Sequence, residues 1–212
     1  MQRLYSEAEQ GSQEWLDSRI GYVTASNMSA VMAKGSGATR RNYMTKVLCE
    51  ILSGQATNGY KSQDMENGND NEATARLAYE FATGQWVEQK GFCYIPELKL
   101  GASTDGVVGD GLIEIKNVKP ANQVDFWIDG KISSTYIKQM QTQMFVLDKK
   151  WCDFVSQSLG DEDNGELPEE LKLKIVRVER DEDMIKEILS ETARFHEDLT
   201  ELQVQLKKAI GG

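Results

Sequence analysis

Histidine, cysteine and positive charge are all scarce in this chain, and each shortage narrows the chemistry available. His196 is the single histidine among 212 residues. It falls in a long C-terminal helical pattern, so catalysis by a Ser-His-Asp set is not expected. Cys49, Cys93 and Cys152 are odd in number, far apart and never in a Cys-x-x-Cys pair. That spacing excludes a zinc or iron–sulfur site and fits reduced thiols in cytoplasm. No apolar stretch approaches the ~20 residues of a membrane span, and the segment from Met1 to Glu7 lacks the apolar region of a secretion signal. Lysine and arginine number 24 against 34 acids, a net charge of -10. Such a balance argues against a surface that is basic throughout, the usual footprint of a nucleic-acid binder.

The acidity is local. Residues 159–203 hold fifteen acids and six Lys or Arg, a balance of -9, which leaves -1 for the remainder. Asn27 to Cys49 contains Lys34, Arg40, Arg41 and Lys46 and no acid. This segment is a candidate for tracking a phosphate backbone; the ordinary alternative is a basic, solvated face. With 40% hydrophobic residues, the chain has material for one sizeable core, and a single domain is expected.

The most informative local pattern is Asp105 followed, nine residues on, by Glu114-Ile115-Lys116. Val107, Val108, Leu112, Ile113 and Ile115 read as a short β-hairpin, and Gly109-Asp110-Gly111 supplies the turn. A Gly109-Asp110 loop sets Asp105 opposite Glu114; an Asp110-Gly111 loop sets it opposite Lys116. Either register puts all three on one face, because strand side chains alternate with period two. Glu114 and Lys116 then lie roughly 7 Å apart, with cross-strand neighbours at about 5 Å. Two carboxylates are hard oxygen ligands for Mg²⁺, and an adjacent ammonium can orient a water and offset developing charge. This is the chemistry of phosphodiester hydrolysis, against the alternative of a solvated cross-strand ion pair.

Element by element, Ser12 caps a short helix carrying Trp15, Leu16 and Arg19, and a second short helix starts near Thr24 and runs through Met28, Val31 and Met32. Gly35-Ser36-Gly37 breaks it. Tyr43, Val47, Leu48, Ile51 and Leu52 continue helical spacing, and Asn58 to Asp64 is a loop. A helix over 66–81 carries the stripe Ala73, Leu77 and Phe81. Strands follow at 87–94, 99–104 and 112–116, helices at 121–128 and 134–147, and strands at 151–158 and 173–178. An acidic loop separates the last two strands. A final helix over 181–210 carries Ile185, Ile188, Leu189, Phe195, Leu199, Leu202 and Leu206. The pattern predicts an α/β architecture with a central mixed β-sheet flanked by helices. Its parts are N-terminal helices (12–55), a core (66–180) and the C-terminal helix, within one domain spanning 1–212.

Three further positions carry two readings each. Glu72 is either one half of an i,i+4 surface pair with Arg76 or a third carboxylate beside the hairpin. Gln141 borders the apolar face of its helix, so its amide serves either the site or nearby backbone. Arg19 with Thr24 or Ser26 offers a guanidinium and hydroxyls near a helix start, which makes a terminal-phosphate site or simple capping.

Taken together these residues resemble the phage lambda exonuclease or YqaJ-type viral recombinase family, within the PD-(D/E)xK nuclease superfamily. The likeness rests on Trp15 with Arg19-Ile20-Gly21, Val23-Thr24-Ala25-Ser26, Gly68 and Glu72 followed by Ala75-Arg76 and Glu80-Phe81. It continues through Ser103 with Asp105-Gly106, Glu114-Ile115-Lys116, Gln139-Met140-Gln141 and Val178-Glu179-Arg180-Asp181-Glu182, in that family's order. The resemblance implies a restriction-endonuclease-like core and two Mg²⁺ ions, with Mn²⁺ able to replace them, held by Asp105, Glu114 and the Ile115 carbonyl. Lys116 would activate water, with Glu72 and Gln141 supporting the site, and Arg19, Ser26 and Ser103 would hold a 5′-phosphate. It further implies a homotrimer ring that loads onto double-stranded DNA ends, digests one strand from 5′ to 3′, and leaves a 3′ overhang for a single-strand annealing recombinase. Thr104 departs from the family's proline before the first acid. Two other readings use the same residues: an endonuclease on this core, and a non-catalytic DNA-end-binding adaptor, against which the presence of both acids and the lysine argues.

Overall fold

A computed structural model describes residues 1–8, 10–33, 38–56, 63–161 and 165–211, with side chains given outside 63–70. Its architecture is mixed α/β, two mixed sheets flanked by helices. The first sheet joins β1 (Leu4–Tyr5), β2 (Val23–Thr24), β3 (Cys93–Ile95) and β4 (Leu100–Ala102) in the order β1-β3-β4-β2, with β2 and β4 parallel. The second joins β5 (Gly106–Val108), β6 (Gly111–Asn117), β7 (Trp151–Gln157) and β8 (Leu173–Glu179) in sequence order, with β6 and β7 parallel and the outer pairs antiparallel. The strands expected to share one sheet thus divide between two.

The helices are α1 (Gln13–Asp17), α2 (Met28–Val31), α3 (Ala38–Ser53), α4 (Gln63–Thr83), α5 (Pro120–Asp129), α6 (Ser134–Leu147), α7 (Glu169–Lys172) and α8 (Glu182–Gly211). Ser12 caps α1 by accepting from the Trp15 N–H (3.1 Å). The helix expected from Thr24 begins later, because Val23 and Thr24 are drawn into pairing with β4 and a 3-10 turn over Ala25–Asn27 intervenes. The strand expected over 87–94 is cut to β3 plus a single bridge between Glu88 and Val107. The Gly35-Ser36-Gly37 break and most of the Asn58–Asp64 loop lie outside the described residues, while Gln63 and Asp64 already belong to α4.

Alternation along β6 organises the site. Ile113 and Ile115 face α4 and pack with Ala75, Tyr79, Val87, Val108 and Val155. Leu112 faces the other way, into the main core with Met140, Met144, Cys152 and Phe154. Glu114 and Lys116 share the parity of Leu112, so they continue that row toward the strand's end, under α6. The stripe expected on α4 is out of phase: Leu77 and Phe81 are 67% and 94% exposed, and Ala75 and Tyr79 are the buried pair. Tyr79 fixes that rotation, since its hydroxyl donates to Asp153 Oδ2 (2.9 Å) on β7, where Arg177 of β8 also pairs with both carboxylate oxygens (2.8 and 2.9 Å). On α8 the buried residues Ile185, Ile188, Phe195, Leu199 and Leu202 follow the expected period, and Leu206 is exposed.

Asp153→Ala strands the buried Tyr79 hydroxyl and unpairs Arg177, and is expected to lower the unfolding free energy by about 2 kcal/mol. The midpoint of urea unfolding measures this, and an unchanged midpoint contradicts the anchoring of α4 through Tyr79.

Candidate active site

The hairpin closes through Gly109-Asp110: Val108 pairs with Gly111, Val107 with Leu112 and Gly106 with Ile113. Gly109 takes a left-handed φ of 54°, which favours glycine in such a tight connection. One step further along this register Asp105 stands opposite Glu114, the first of the two registers open from sequence. β5 has ended by then, and the Asp105 carboxylate replaces its ladder, accepting through Oδ2 from the Ile115 N–H (2.7 Å). A strand residue sends its N–H and C=O to the same side, so the Ile115 carbonyl is directed to the side that β5 vacates. Thr104, in place of proline, is 3% exposed and its hydroxyl donates to the Ile113 carbonyl (3.0 Å). That bond fixes the backbone before Asp105 by a different means.

Glu114 is 1% exposed. Its Oε1 accepts from Lys116 Nζ (2.5 Å) and Gln139 Nε2 (2.7 Å), and its Oε2 from Gln143 Nε2 (2.7 Å). Gln143 also donates to the Ser103 carbonyl (2.9 Å), tying α6 to the stretch before Asp105. The Lys116 ammonium lies 5.0 Å from the centre of the Tyr136 ring. Burial alone depresses the Lys116 pKa, yet Glu114 and Asp105 outweigh it and leave it raised. Glu72 comes from α4 and bonds Arg76 (2.7 Å). Its pKa is raised by burial and by Glu114 against the opposing pull of Arg76 and Lys116, so the helical pair with Arg76 is formed and Glu72 also feels the charge of Glu114.

Asp105 is held well above the usual carboxylate range, first by burial and then by repulsion from Glu114 and Glu72. A divalent cation relieves such repulsion. Among the described residues no three Asp, Glu, His or Cys side chains converge to cage an ion by themselves. The donors do fit a cation that keeps much of its water, as Mg²⁺ does when held through one or two carboxylates: Asp105, Glu114 and the Ile115 carbonyl are all oxygen ligands.

β2 and β4 are parallel, pairing Val23 with Leu100 and Thr24 with Gly101; Ser26 lies in the 3-10 turn that follows β2, and Ser103 is the residue after β4. Gly101 lies against the Phe92 ring, and the Arg19 guanidinium sits 4.1 Å from the centre of the Trp15 ring and 5.9 Å from that of Phe92. Arg19 Nε, Ser103 Oγ and Trp15 Nε1 are buried without a hydrogen-bond partner, a set of donors suited to an anion. Burial lowers the Arg19 pKa against Tyr43 and Glu50, which raise it.

Two expectations are corrected. Gln141 does not reach the site: its Nε2 donates to the Glu179 carbonyl (2.8 Å) and its Oε1 accepts from the Asp181 N–H (2.8 Å), which clamps β8 to α8. Two positions are 200° on a helix, so Gln141 points away from the row holding Gln139 and Gln143. These two are the site glutamines missed in the sequence, although their i,i+4 spacing on the row of Tyr136 was a signal. Arg40 is not a free cation on the surface, because it donates to the Val31 carbonyl (3.1 Å) and to Asp198 (2.5 Å) and lies over Phe195. Arg41 and Lys46 are exposed, and Lys34 lies outside the described residues.

Known proteins share this fold. The alkaline exonuclease LHK-Exo of Laribacter hongkongensis is 37% identical, superimposes with a TM-score of 0.82, and matches over 94% of this chain and 98% of its own. LHK-Exo in complex with dAMP gives 0.83 at the same identity and coverage. A phage-related exonuclease of Haemophilus somnus 129PT shares the fold at 14% identity, with a TM-score of 0.68 over 87% of this chain and 96% of its own. No curated protein matches the chain significantly. Residues 14–150 match the YqaJ-like viral recombinase domain, and with the alkaline exonuclease likeness over nearly the whole length the chain belongs to that family of nucleases.

Proposed function

We propose that the chain, as one nuclease domain, is a Mg²⁺-dependent exonuclease. It degrades one strand of linear double-stranded DNA from 5′ to 3′ and leaves 3′ overhangs for recombination by strand annealing. The observation that carries this reading is the hairpin register, which gathers Asp105, Glu114 and Lys116 on one face while α6 holds Glu114 from above. Asp105, Glu114 and the Ile115 carbonyl would hold two Mg²⁺ ions, or Mn²⁺ in their place, which would supply Lewis-acid polarisation of the phosphate and a more acidic water. Lys116 orients that water and offsets charge on the transition state, Gln139 and Gln143 fix the Glu114 carboxylate, and Glu72 completes the acidic rim.

The donors left unpartnered support a terminal-phosphate site, on which the proposed polarity rests. Arg19 Nε and Ser103 Oγ, with Ser26 in the 3-10 turn after β2, receive the 5′-phosphate of the strand being shortened. The relative solved with dAMP supports a mononucleotide product. Arg41, Lys46 and Lys34 contact the duplex backbone. The working form is a homotrimer ring in the cytoplasm of a bacterial cell or phage-infected host, with basic residues facing inward and the acids of 159–203 outward. It hands its overhang to a single-strand annealing recombinase. No helix among the described residues is long and apolar enough to cross a membrane, and no membrane partner is proposed.

With Mg²⁺ the protein is expected to digest linear duplex and leave closed-circular duplex intact; equal cutting of both contradicts dependence on ends. Lys116→Ala is expected to lower kcat by about 10²- to 10⁴-fold with duplex binding retained. Arg19→Ala is expected to shorten processive runs and erase the preference for 5′-phosphorylated ends, scored on phosphorylated and hydroxyl substrates side by side. Gln143→Ala is expected to cost about 10- to 100-fold in activity, whereas Gln141→Ala lowers the thermal midpoint and spares turnover per folded molecule.

A further inference from the structure

Arg76 stands outside every role assigned so far, yet its guanidinium touches two parts of the site at once. Its Nε donates to the Asp105 carbonyl (3.1 Å) and its Nη2 to Glu72 Oε1 (2.7 Å). The Gln89 amide, with its oxygen turned toward Arg76, accepts from both Nη1 and Nη2 at 3.1 Å. Gln89 is itself held against β5, because the neighbouring Glu88 exchanges backbone hydrogen bonds with Val107 (2.9 and 2.8 Å). One fork therefore spans α4, the residue before β5 and the bridge beside it. The Arg76 side chain is 15% exposed and that of Glu72 23%. A surface helical pair leaves the guanidinium to solvent, and it needs neither the Asp105 carbonyl nor Gln89.

We propose that Arg76 is a positioning residue: it locks Glu72 at a fixed distance from the Asp105 backbone and thereby sets the affinity of the acidic cluster for its divalent cation, with Gln89 as its support. This rests on the nuclease reading of the cluster. The planar fork is essential, since an ammonium is a point charge and cannot bond the carbonyl, the carboxylate and the amide in one plane. Groups that orient metal-binding carboxylates typically alter affinity or activity by about 10- to 100-fold when removed.

The test uses the full chain with Arg76→Ala, Arg76→Lys, Gln89→Ala, Glu72→Ala and the Arg76→Ala/Glu72→Ala double variant. Three quantities are measured: Mn²⁺ binding by calorimetry without DNA, the thermal midpoint, and kcat and KM on linear duplex. Arg76→Ala is expected to weaken Mn²⁺ binding by about tenfold or more, with a matching fall in kcat and an unchanged KM. Lysine does not rescue it, and the double variant is no worse than Glu72→Ala. Gln89→Ala shifts Mn²⁺ binding the same way by a smaller factor and keeps the proposal decidable if Arg76→Ala does not fold. Unchanged Mn²⁺ affinity in Arg76→Ala or, should that variant not fold, in Gln89→Ala, full rescue by lysine, or additive losses in the double variant overturn it. Wild-type protein inert toward duplex counts against the exonuclease reading alone, because calorimetry still compares the variants' hold on the cation.

Discussion

The ladder that sets Val108 opposite Gly111 is the constraint on which the site depends. It stops one residue short of Asp105, and that is its use. Had pairing continued, the Ile115 N–H would have met a strand carbonyl; it meets the Asp105 carboxylate instead, which is drawn level with Glu114. Slipping the hairpin by a residue would turn every side chain of β5 to the other face and take Asp105 away from Glu114 and Lys116. Around this hairpin the structure is redundant: β7 holds β6 along its full length, Thr104 ties the approach to Ile113, and α6 holds Glu114 with two amides.

Concentrated negative charge is the second theme. Burial and then the charge of Glu114 raise the proton affinity of Asp105 and Glu72, and the cations near them, Lys116 and Arg76, are each bonded to one carboxylate. Buried charges of one sign are tolerated only when paired or bound to metal. The site thus carries an electrostatic demand that two side-chain cations meet in part. The unpartnered Arg19 Nε, in the turn ahead of β2, and Ser103 Oγ, just past β4, make the opposite demand, for an anion. In the proposed function, carboxylates that favour a cation and buried donors that favour an anion, joined by the short stretch from Ser103 to Asp105, serve as the two halves of a phosphodiester site.

What the sequence made legible follows from periodicity. Period two along Glu114-Ile115-Lys116 fixed which side chains share a face, whichever turn closed the hairpin, and the period of α8 located its buried row. Helical phase was harder. Ala73, Leu77 and Phe81 form a clean stripe, yet a hydroxyl on Tyr79 and a carboxylate on Asp153 decided the rotation of α4, and a hydrogen bond between residues 74 apart leaves no local trace. Gln141 drew attention because it borders apolar neighbours, but backbone at the junction of β8 and α8 used both its atoms. Arg40 read as a surface cation until α8 supplied Asp198 and Phe195. In each case a partner distant in sequence reassigned a residue whose local pattern had been read correctly.

The proposed chemistry requires a divalent cation held by the hairpin between Asp105 and Glu114. Anomalous diffraction from crystals soaked in Mn²⁺ addresses it most directly. A peak is expected about 2.2 Å from oxygens of Asp105 and Glu114 and from the Ile115 carbonyl. A fully occupied manganese elsewhere, with these two carboxylates still bonded only to Lys116, Gln139, Gln143 and the Ile115 N–H, would contradict it.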